Sequence, residues 1–138
     1  LRLWDISSAE CVRLYRGHTG AVVDVALSAT GALAASASDD ATVVVWDIGP
    51  AKPMTALRHG EPVSSVAFSA DGKLLATVSR RRVRVWDCAG ALNESSTPVL
   101  SADTTGPVLG VSFLGETRTL VGCLHNDGAR ANDDRGHL

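Results

Sequence analysis

Short apolar runs separated by polar turns recur along the chain and define its predicted secondary structure. The runs "AVVDVAL", "ALAASAS" and "TVVVW" form one series, and "PVSSVAF", "KLLATVS" and "RVRVW" repeat it further along. Valine-rich runs of this length, bounded by turn residues, are typical of β-strands. The turns "SATG" and "SADG" place a glycine where a hairpin needs a positive φ. Weaker strands, "CVRLY" and "PMTAL", precede each series, and no window shows convincing helical periodicity, so the pattern predicts an all-β fold.

Three Trp-Asp pairs reveal an internal repeat. Trp4, Trp46 and Trp86 each precede an aspartate, at intervals of 42 and 40 residues. An offset of 41 residues superimposes His18 on His59, and one residue is then lost before Trp46 meets Trp86. A fixed period of this size indicates a fold built from repeated supersecondary units.

Four short antiparallel strands per period, opened by Gly-His or Arg-His and closed by Trp-Asp, resemble the WD40 repeat of β-propellers. The resemblance covers about residues 1–128. It implies the last two strands of an incomplete blade, two full blades, a degraded half blade and a polar tail, at residues 1–16, 17–57, 58–103, 104–128 and 129–138. Propellers contain roughly four to eight blades. We therefore expect a partial WD40-like propeller with too few blades to close a ring alone.

WD40 blades carry a hydrogen-bonded tetrad of histidine, serine or threonine, aspartate and tryptophan. The resemblance implies a complete tetrad in the first full blade and one without its aspartate in the second, from His18, Ser36, Asp40 and Trp46, and from His59, Thr77 and Trp86. In the half blade, Thr104 stands in the place of the histidine and Gly122 in that of the serine. Asn126 or Asp127 would be the acid of that blade.

The first tetrad also has the composition of a Ser-His-Asp hydrolase triad. A triad needs an exposed nucleophile, a base within reach and an oxyanion hole beside an open pocket. The local sequence "AASASDD" lacks the strained G-x-S-x-G turn of such nucleophiles. Because the repeat assigns these residues a structural role, we expect no catalysis from them.

A candidate partner-binding surface follows from the same resemblance. WD40 partners usually dock on the face formed by the loops before the first strand of each blade and the turns between the second and third strands. In this chain that face comprises Ala21, Val23, Asp39, Pro62, Ser64, Arg80, Arg81, Pro107 and Leu109. A basic tip at Arg80–Arg82 is either an ordinary solvated turn or a recognition patch for an acidic or phosphorylated segment.

Composition excludes several classes of function. The chain has 45% hydrophobic and 20% charged residues and a net charge of −2, which fits a folded protein and makes nucleic acid an improbable partner. Its apolar runs are too short or interrupted to cross a membrane. Three cysteines without a C-x-x-C pair and four histidines without metal-like spacing indicate reduced thiols, no metal and no cofactor. We expect a cytoplasmic protein.

The resemblance implies a non-catalytic scaffold for protein–protein interaction. The sequence opens "LRLWD" and leaves blade edges unpaired, so we expect a fragment of a larger propeller or, failing that, self-association through the open edges. The alternative function is a regulatory or sensor segment of a multidomain enzyme, such as a kinase or NTPase fusion. Its catalytic part would lie outside this chain, because neither a P-loop nor a kinase motif occurs here.

Overall fold

The computed structural model describes residues 1–90, 92–115 and 120–124, and within them the regular structure consists of β-strands. The predicted all-β fold is confirmed. The strands are β1 (Arg2–Asp5), β2 (Glu10–Leu14), β3 (Val22–Leu27), β4 (Leu33–Ser38), β5 (Thr42–Asp47), β6 (Lys52–Arg58), β7 (Ser65–Phe68), β8 (Leu74–Ser79), β9 (Arg82–Asp87), β10 (Leu100–Asp103), β11 (Val108–Phe113) and β12 (Leu120–Leu124).

These strands form four antiparallel sheets in which consecutive strands are neighbours. Two four-stranded sheets have the orders β3-β4-β5-β6 and β7-β8-β9-β10, and we call them the first and second full blades. The hairpin β1–β2 precedes them and the hairpin β11–β12 follows them. Asn126, Asp127 and the predicted tail 129–138 lie outside the described residues.

Glycine turns join the first two strands of each full blade. Gly31 and Gly72 both have φ of 69°, a conformation that disfavours any residue with a Cβ atom. Each amide donates to the carbonyl of the serine three residues earlier, Ser28 at 2.8 Å and Ser69 at 2.9 Å. The repeated glycine therefore closes the same tight hairpin twice.

The central strands of the first full blade are buried on both faces. Ala35, Ala37, Val43 and Val45 pack with Leu57 towards the second blade, where they meet a cluster formed by Val63, Val66, Leu75 and Trp86. On the opposite face, Ala34, Val44 and Trp46 pack against Tyr15 and the hairpin β1–β2. Burial from both sides explains why β4 and β5 read as nearly continuous apolar runs.

Polar contacts connect the innermost strands of successive sheets. The carboxylate of Asp24 on β3 accepts hydrogen bonds from the Ser65 hydroxyl at 2.9 Å and the Val66 amide at 3.0 Å, both on β7. The Ser65 oxygen in turn accepts the Val111 amide of β11 at 3.3 Å. We call Asp24, Ser65 and Val111 the inner-strand belt. It links three sheets in series along their inner edges.

The side of the assembly next to β3 is apolar and open. Val25 and Leu27 are 42% and 59% exposed, and Trp4 on β1 is 52% exposed although it stands at the tetrad position of its repeat. A small apolar cavity of about 140 Å³ lies between the hairpin β1–β2 and the first full blade. The sheets therefore do not close into a ring.

Candidate functional site

The four polar side chains of the first full blade form one hydrogen-bonded network. His18 Nε2 lies 2.7 Å from Ser36 Oγ, and His18 Nδ1 lies 2.8 Å from Asp40 Oδ2. Trp46 Nε1 donates to Ser36 Oγ at 2.8 Å. An indole N–H can only donate, so the serine oxygen accepts it. In the neutral form of the ring, the serine hydroxyl then donates to Nε2, and Nδ1 donates its proton to the carboxylate.

Asp40 is held in its charged form by its neighbours. Burial by itself would raise its pKa, but hydrogen bonds from the Thr42 hydroxyl, the His18 ring and the Thr19 amide hold the pKa well below the usual value of 3.8. The corresponding distances from donor to carboxylate oxygen are 2.6, 2.8 and 3.0 Å. A carboxylate that accepts several hydrogen bonds is stabilised as the anion.

The network has the connectivity of a hydrolase triad but lacks access for a substrate. Ser36 and Trp46 are both 0% exposed, and the indole N–H occupies the serine oxygen from one side. A nucleophile has to reach the reacting carbonyl from a pocket that also holds an oxyanion hole. Because Ser36 is sealed between strands, the network serves to hold β4 and β5 to the loop that precedes β3.

The second full blade has a three-membered network in which a backbone carbonyl replaces the acid. His59 Nε2 lies 2.8 Å from Thr77 Oγ1, which also accepts the Trp86 indole N–H at 3.0 Å. His59 Nδ1 lies 3.0 Å from the carbonyl oxygen of Leu57. Burial lowers the pKa of His59 to about 4, the Leu57 hydrogen bond opposes this shift, and the charge of Arg84 adds to it.

The acid is absent from the second blade because the turn between its middle strands is one residue shorter. In the first blade, three residues separate Ser38 from Thr42, and in the second only two separate Ser79 from Arg82. Arg80 has a positive φ of 53° at this tight turn. The two residues of the short turn, Arg80 and Arg81, are both basic, so the turn supplies no acid.

The arginines of this turn are placed in three different ways. Arg82 is the first residue of β9 rather than a turn residue, and its guanidinium holds Asp103 of β10 through two bonds of 2.6 and 3.2 Å. Arg80 lies 3.6 Å from Glu61 as an exposed pair. Arg81 makes no side-chain ion pair within the described ranges, and its carbonyl oxygen accepts from both the amide and the hydroxyl of Thr104.

Arg84 occupies the position that Val44 has in the first blade. Its side chain is half-buried and donates to the hydroxyl of Ser79 at 3.2 Å. Desolvation lowers the pKa of this guanidinium and the nearby charge of Arg82 lowers it further, while the charges of Asp103 and Glu61 partly oppose the shift. Burial of a charged group is unfavourable unless a group of opposite charge pairs with it.

Five of the nine residues of the predicted partner-binding face line one cleft. This cleft, which we call the apolar cleft, has a volume of about 490 Å³ and is lined mainly by carbon atoms. It lies between the second full blade and the hairpin β11–β12, and its lining comprises Gly60, Glu61, Pro62, Ser64, Arg80, Pro107, Val108 and Leu109. Ala21, Val23 and Asp39 are exposed residues of the first blade and do not line it.

A second, polar cavity adjoins the apolar cleft. It has a volume of about 250 Å³, shares Gly60 and Glu61 with the cleft, and is further lined by His59, Ser79, Arg81, Arg82, Arg84 and Asp103. We call it the arginine cavity. The sequence indicated Arg80 and Arg81 as surface residues but did not indicate Arg84, Glu61 or Asp103. Only the register of β9 against β10 brings Arg82 opposite Asp103.

Comparison with known proteins places these features in a family. The model of the WD domain, G-beta repeat, matches residues 9–47 and 51–87. Similar proteins include the small ribosomal subunit protein RACK1y of Oryza sativa subsp. japonica, 29% identical over 92 residues, and WD repeat-containing protein SL1-17 of Schistosoma mansoni, 36% identical over 78 residues. The alignments cover 67% and 55% of this chain but only 27% and 26% of those proteins.

Solved structures show the same fold. The WD40 repeats of RRP9 superimpose with a TM-score of 0.72 at 21% identity over 80% of this chain and 34% of theirs. A structure described as a humanized mutant of the Chaetomium thermophilum Polycomb Repressive Complex 2 bound to the inhibitor GSK126 gives a TM-score of 0.79 at 22% identity, over 91% of this chain and 30% of that one.

The antiparallel four-stranded blades and their buried His-Ser/Thr-Trp networks define a repeat protein of the β-propeller class. The family match covers more than half of the chain. The chain belongs to the WD40 repeat family, whose members typically mediate protein interactions.

Among residues 1–90, 92–115 and 120–124, no cluster of three or more histidine, cysteine or acidic side chains could hold a metal ion. The same part of the chain contains no helix with the length and hydrophobicity that crossing a bilayer requires.

Proposed function

We propose that this chain is a non-catalytic interaction module that binds a peptide segment of a partner protein in the apolar cleft. The observation that supports this most directly is the convergence on a single cleft of Pro62, from the loop before β7, with Pro107 and Leu109, from the start of β11. Leu109 is 55% exposed at this position. Exposed apolar side chains that line a concave surface are the usual anchors of binding sites.

The rim of the cleft determines the charge of the proposed partner. Arg80 lies at the rim, and Arg81 joins Arg80, Glu61 and Pro107 around an adjacent depression. The pair between Arg80 and Glu61 is long and exposed, so it holds the arginine weakly. An acidic or phosphorylated segment beside an apolar anchor residue would therefore match the surface.

We further propose that additional blades complete the propeller around this module. The open apolar side of β3 and the half-exposed Trp4 are surfaces that further strands would cover. The relatives compared above are about three to four times longer than the matched segment, which agrees with a larger ring.

Selection from a random-peptide phage library tests the binding function. Peptides selected on the chain, immobilised at low density, are resynthesised with a fluorescent label and their dissociation constants are measured. Leu109→Asp should weaken the binding of these peptides by about tenfold or more, because it places a charge in the centre of the apolar cleft. Ile6→Asp is the matched control, since Ile6 is 98% exposed in the β1–β2 turn and outside the cleft.

A separate variant tests whether the surface prefers an acidic partner. A double change, Arg80→Glu with Arg81→Glu, should abolish binding of those selected peptides that carry acidic residues. Unchanged affinity would contradict the acidic-partner part of the proposal. A selection that yields no binding sequence, or peptides that bind Leu109→Asp as tightly as the original chain, would contradict the binding function itself.

A further inference from the structure

The second full blade contains a place for a carboxylate that its own sequence does not fill. In the first blade, the Asp40 carboxylate lies beside the histidine of the tetrad and accepts four hydrogen bonds, from the His18 ring, the Thr19 amide, and both the amide and the hydroxyl of Thr42. The shorter turn of the second blade removes this residue. The arginine cavity opens beside His59 instead.

Two cations face this cavity without a carboxylate of their own. Arg84 is bonded to the neutral Ser79 hydroxyl, and no carboxylate of the described residues lies within ion-pair distance of it. Arg81 likewise has no ion-pair partner in the part of the chain that the structure describes. The third arginine, Arg82, is already held by Asp103 through a two-bond fork.

The position of Arg84 exchanges a buried apolar side chain for a charged one. Its counterpart Val44 is 4% exposed and packs in the core of the first blade. The half-buried guanidinium of Arg84 lines the arginine cavity instead, and the charges of Asp103 and Glu61 offset its desolvation only in part. Residues that break the local pattern of a fold without a compensating contact are often those that a binding site requires.

We propose that the arginine cavity binds one carboxylate of the partner, from an aspartate, a glutamate or a chain terminus. In this arrangement the partner's carboxylate lies between Arg81 and Arg84 and supplies the negative charge that Asp40 supplies in the first blade. The proposal rests on the proposed peptide-binding function, because the arginine cavity and the apolar cleft share Gly60 and Glu61. One extended peptide can therefore place an apolar residue in the cleft and an acidic residue in the cavity.

Charge balance favours a carboxylate over a phosphate. The cavity lining contains three arginines and two carboxylates, those of Glu61 and Asp103. With His59 neutral near pH 7, the lining by itself has a net charge of +1, which one carboxylate balances, and Glu61 is shared with Arg80 outside the lining. A phosphoryl group carries about −1.5 to −2 at that pH and would overcompensate it.

Chemical protection of the arginines tests the cavity without a peptide. Phenylglyoxal modification of the chain is followed by mass spectrometry in sodium acetate and in sodium chloride at equal ionic strength. Acetate should slow modification of Arg81 and Arg84 in a saturable way, while the exposed Arg13 on β2 serves as an internal control and reacts at the same rate in both salts. Inorganic phosphate should protect less well than acetate. Equal protection by chloride, or stronger protection by phosphate, would overturn the carboxylate assignment.

Peptide pairs test the role of the cavity in recognition. Selected peptides that contain an acidic residue are compared with their Asp→Asn or Glu→Gln versions, and the acidic form should bind about tenfold more tightly. Arg84→Val should lower the affinity for the acidic peptide to the affinity for the neutral one. It should leave the affinity for the neutral peptide unchanged. Valine stands at the equivalent position of the first blade, so the variant is compatible with the fold. Arg13→Val is the matched control.

The outcomes separate this inference from the binding function. Peptides that respond to Leu109→Asp but not to Arg84→Val or to loss of their acidic residue would leave the binding function intact and overturn the carboxylate site. Saturable protection by acetate on a chain that binds no peptide would retain the carboxylate site and contradict the peptide-binding function.

Discussion

Hydrogen bonding at single residues differs between the two full blades. In the first, the His18 ring is fixed on both sides, by Ser36 and by a carboxylate with several other donors. In the second, the ring of His59 has a backbone carbonyl in place of the carboxylate. A charged acceptor makes a stronger hydrogen bond than a neutral one, so the two histidines differ in how strongly they hold their strands.

Removal of His18 tests the strength of the complete network. His18→Ala would leave the buried Ser36 hydroxyl and the Asp40 carboxylate without their shared partner, at a cost of about 1–3 kcal/mol. Hydrogen exchange of the β4 and β5 amides measures this cost as a lower free energy of opening. Thr19→Ala is the control, because the amide of Thr19 takes part in the network and its side chain is exposed. Unchanged exchange together with loss of an esterase activity would instead favour the hydrolase interpretation.

At the scale of the strands, the repeat offset predicted the series of strands. The pairing of side chains across neighbouring strands depends on the register, which the offset does not give. The valine runs and the paired glycine turns are local signals, so the strand series and its glycine hairpins could be located from the sequence. The pairing of Arg82 with Asp103 was not predictable. It depends on the alignment of β9 with β10, across a connection of twelve residues that contains no repeat signal.

The turn between β8 and β9 is a second feature that the sequence predicted only in part. The sequence identified a lost aspartate, but it could not show that the short turn leaves a cavity with Arg84 at its wall. Arg84 lies between Val83 and Val85 on β9, so its side chain is on the opposite face of the strand from theirs. The cavity that it lines there also includes Gly60 and Glu61, which lie more than twenty positions away in the chain.

Acidification should loosen the second blade before the first. Burial holds the pKa of His59 at about 4 in the folded chain, against 6.5 for an exposed histidine. Between these values the unfolded chain binds a proton that the folded chain does not, so the free energy of unfolding decreases as the pH falls from 6.5 to 4. The loss reaches at most about 3 kcal/mol. The contribution of Asp40 to stability is lost at lower pH, because it disappears only as the pH falls below 3.8, the usual pKa of this carboxyl group.

Hydrogen exchange of β8 and β9 between pH 7 and pH 4 measures this effect, after correction for the intrinsic pH dependence of exchange. His59→Gln removes the titrating ring and should remove the pH dependence of the opening free energy in this window. A wild-type profile that is flat from pH 6.5 to 4, with His59 titrating near 6.5, would contradict the burial of this histidine.

At the scale of the whole molecule, exposed apolar surface predicts how the isolated chain behaves. Val25 and Leu27 on β3 and Trp4 on β1 lie on the open side of the assembly, and β1 has one unpaired edge. Unpaired edges and apolar patches promote association. We expect the isolated chain to be oligomeric or aggregated and to unfold with low cooperativity.

Light scattering and calorimetry check this expectation. Leu27→Ser should reduce the apparent mass at a given concentration, because it interrupts the apolar surface of β3. Ile6→Ser removes an even more exposed apolar side chain from a turn and should leave the mass unchanged. A monomer that melts sharply would contradict the prediction.

The inner-strand belt holds successive sheets together at one edge. Its contacts, from Asp24 to Ser65 and from Ser65 to Val111, join the edge strands β3, β7 and β11. A small change in length at this inner radius becomes a larger displacement at the outer strands, since the angular error is the same and the lever arm is longer. A single added methylene, as in Asp24→Glu, would therefore displace β6 and β10 most, because these strands lie farthest from the belt. The angle between blades is therefore constrained at the inner edge by the two links of the belt and farther out by the apolar core between the blades.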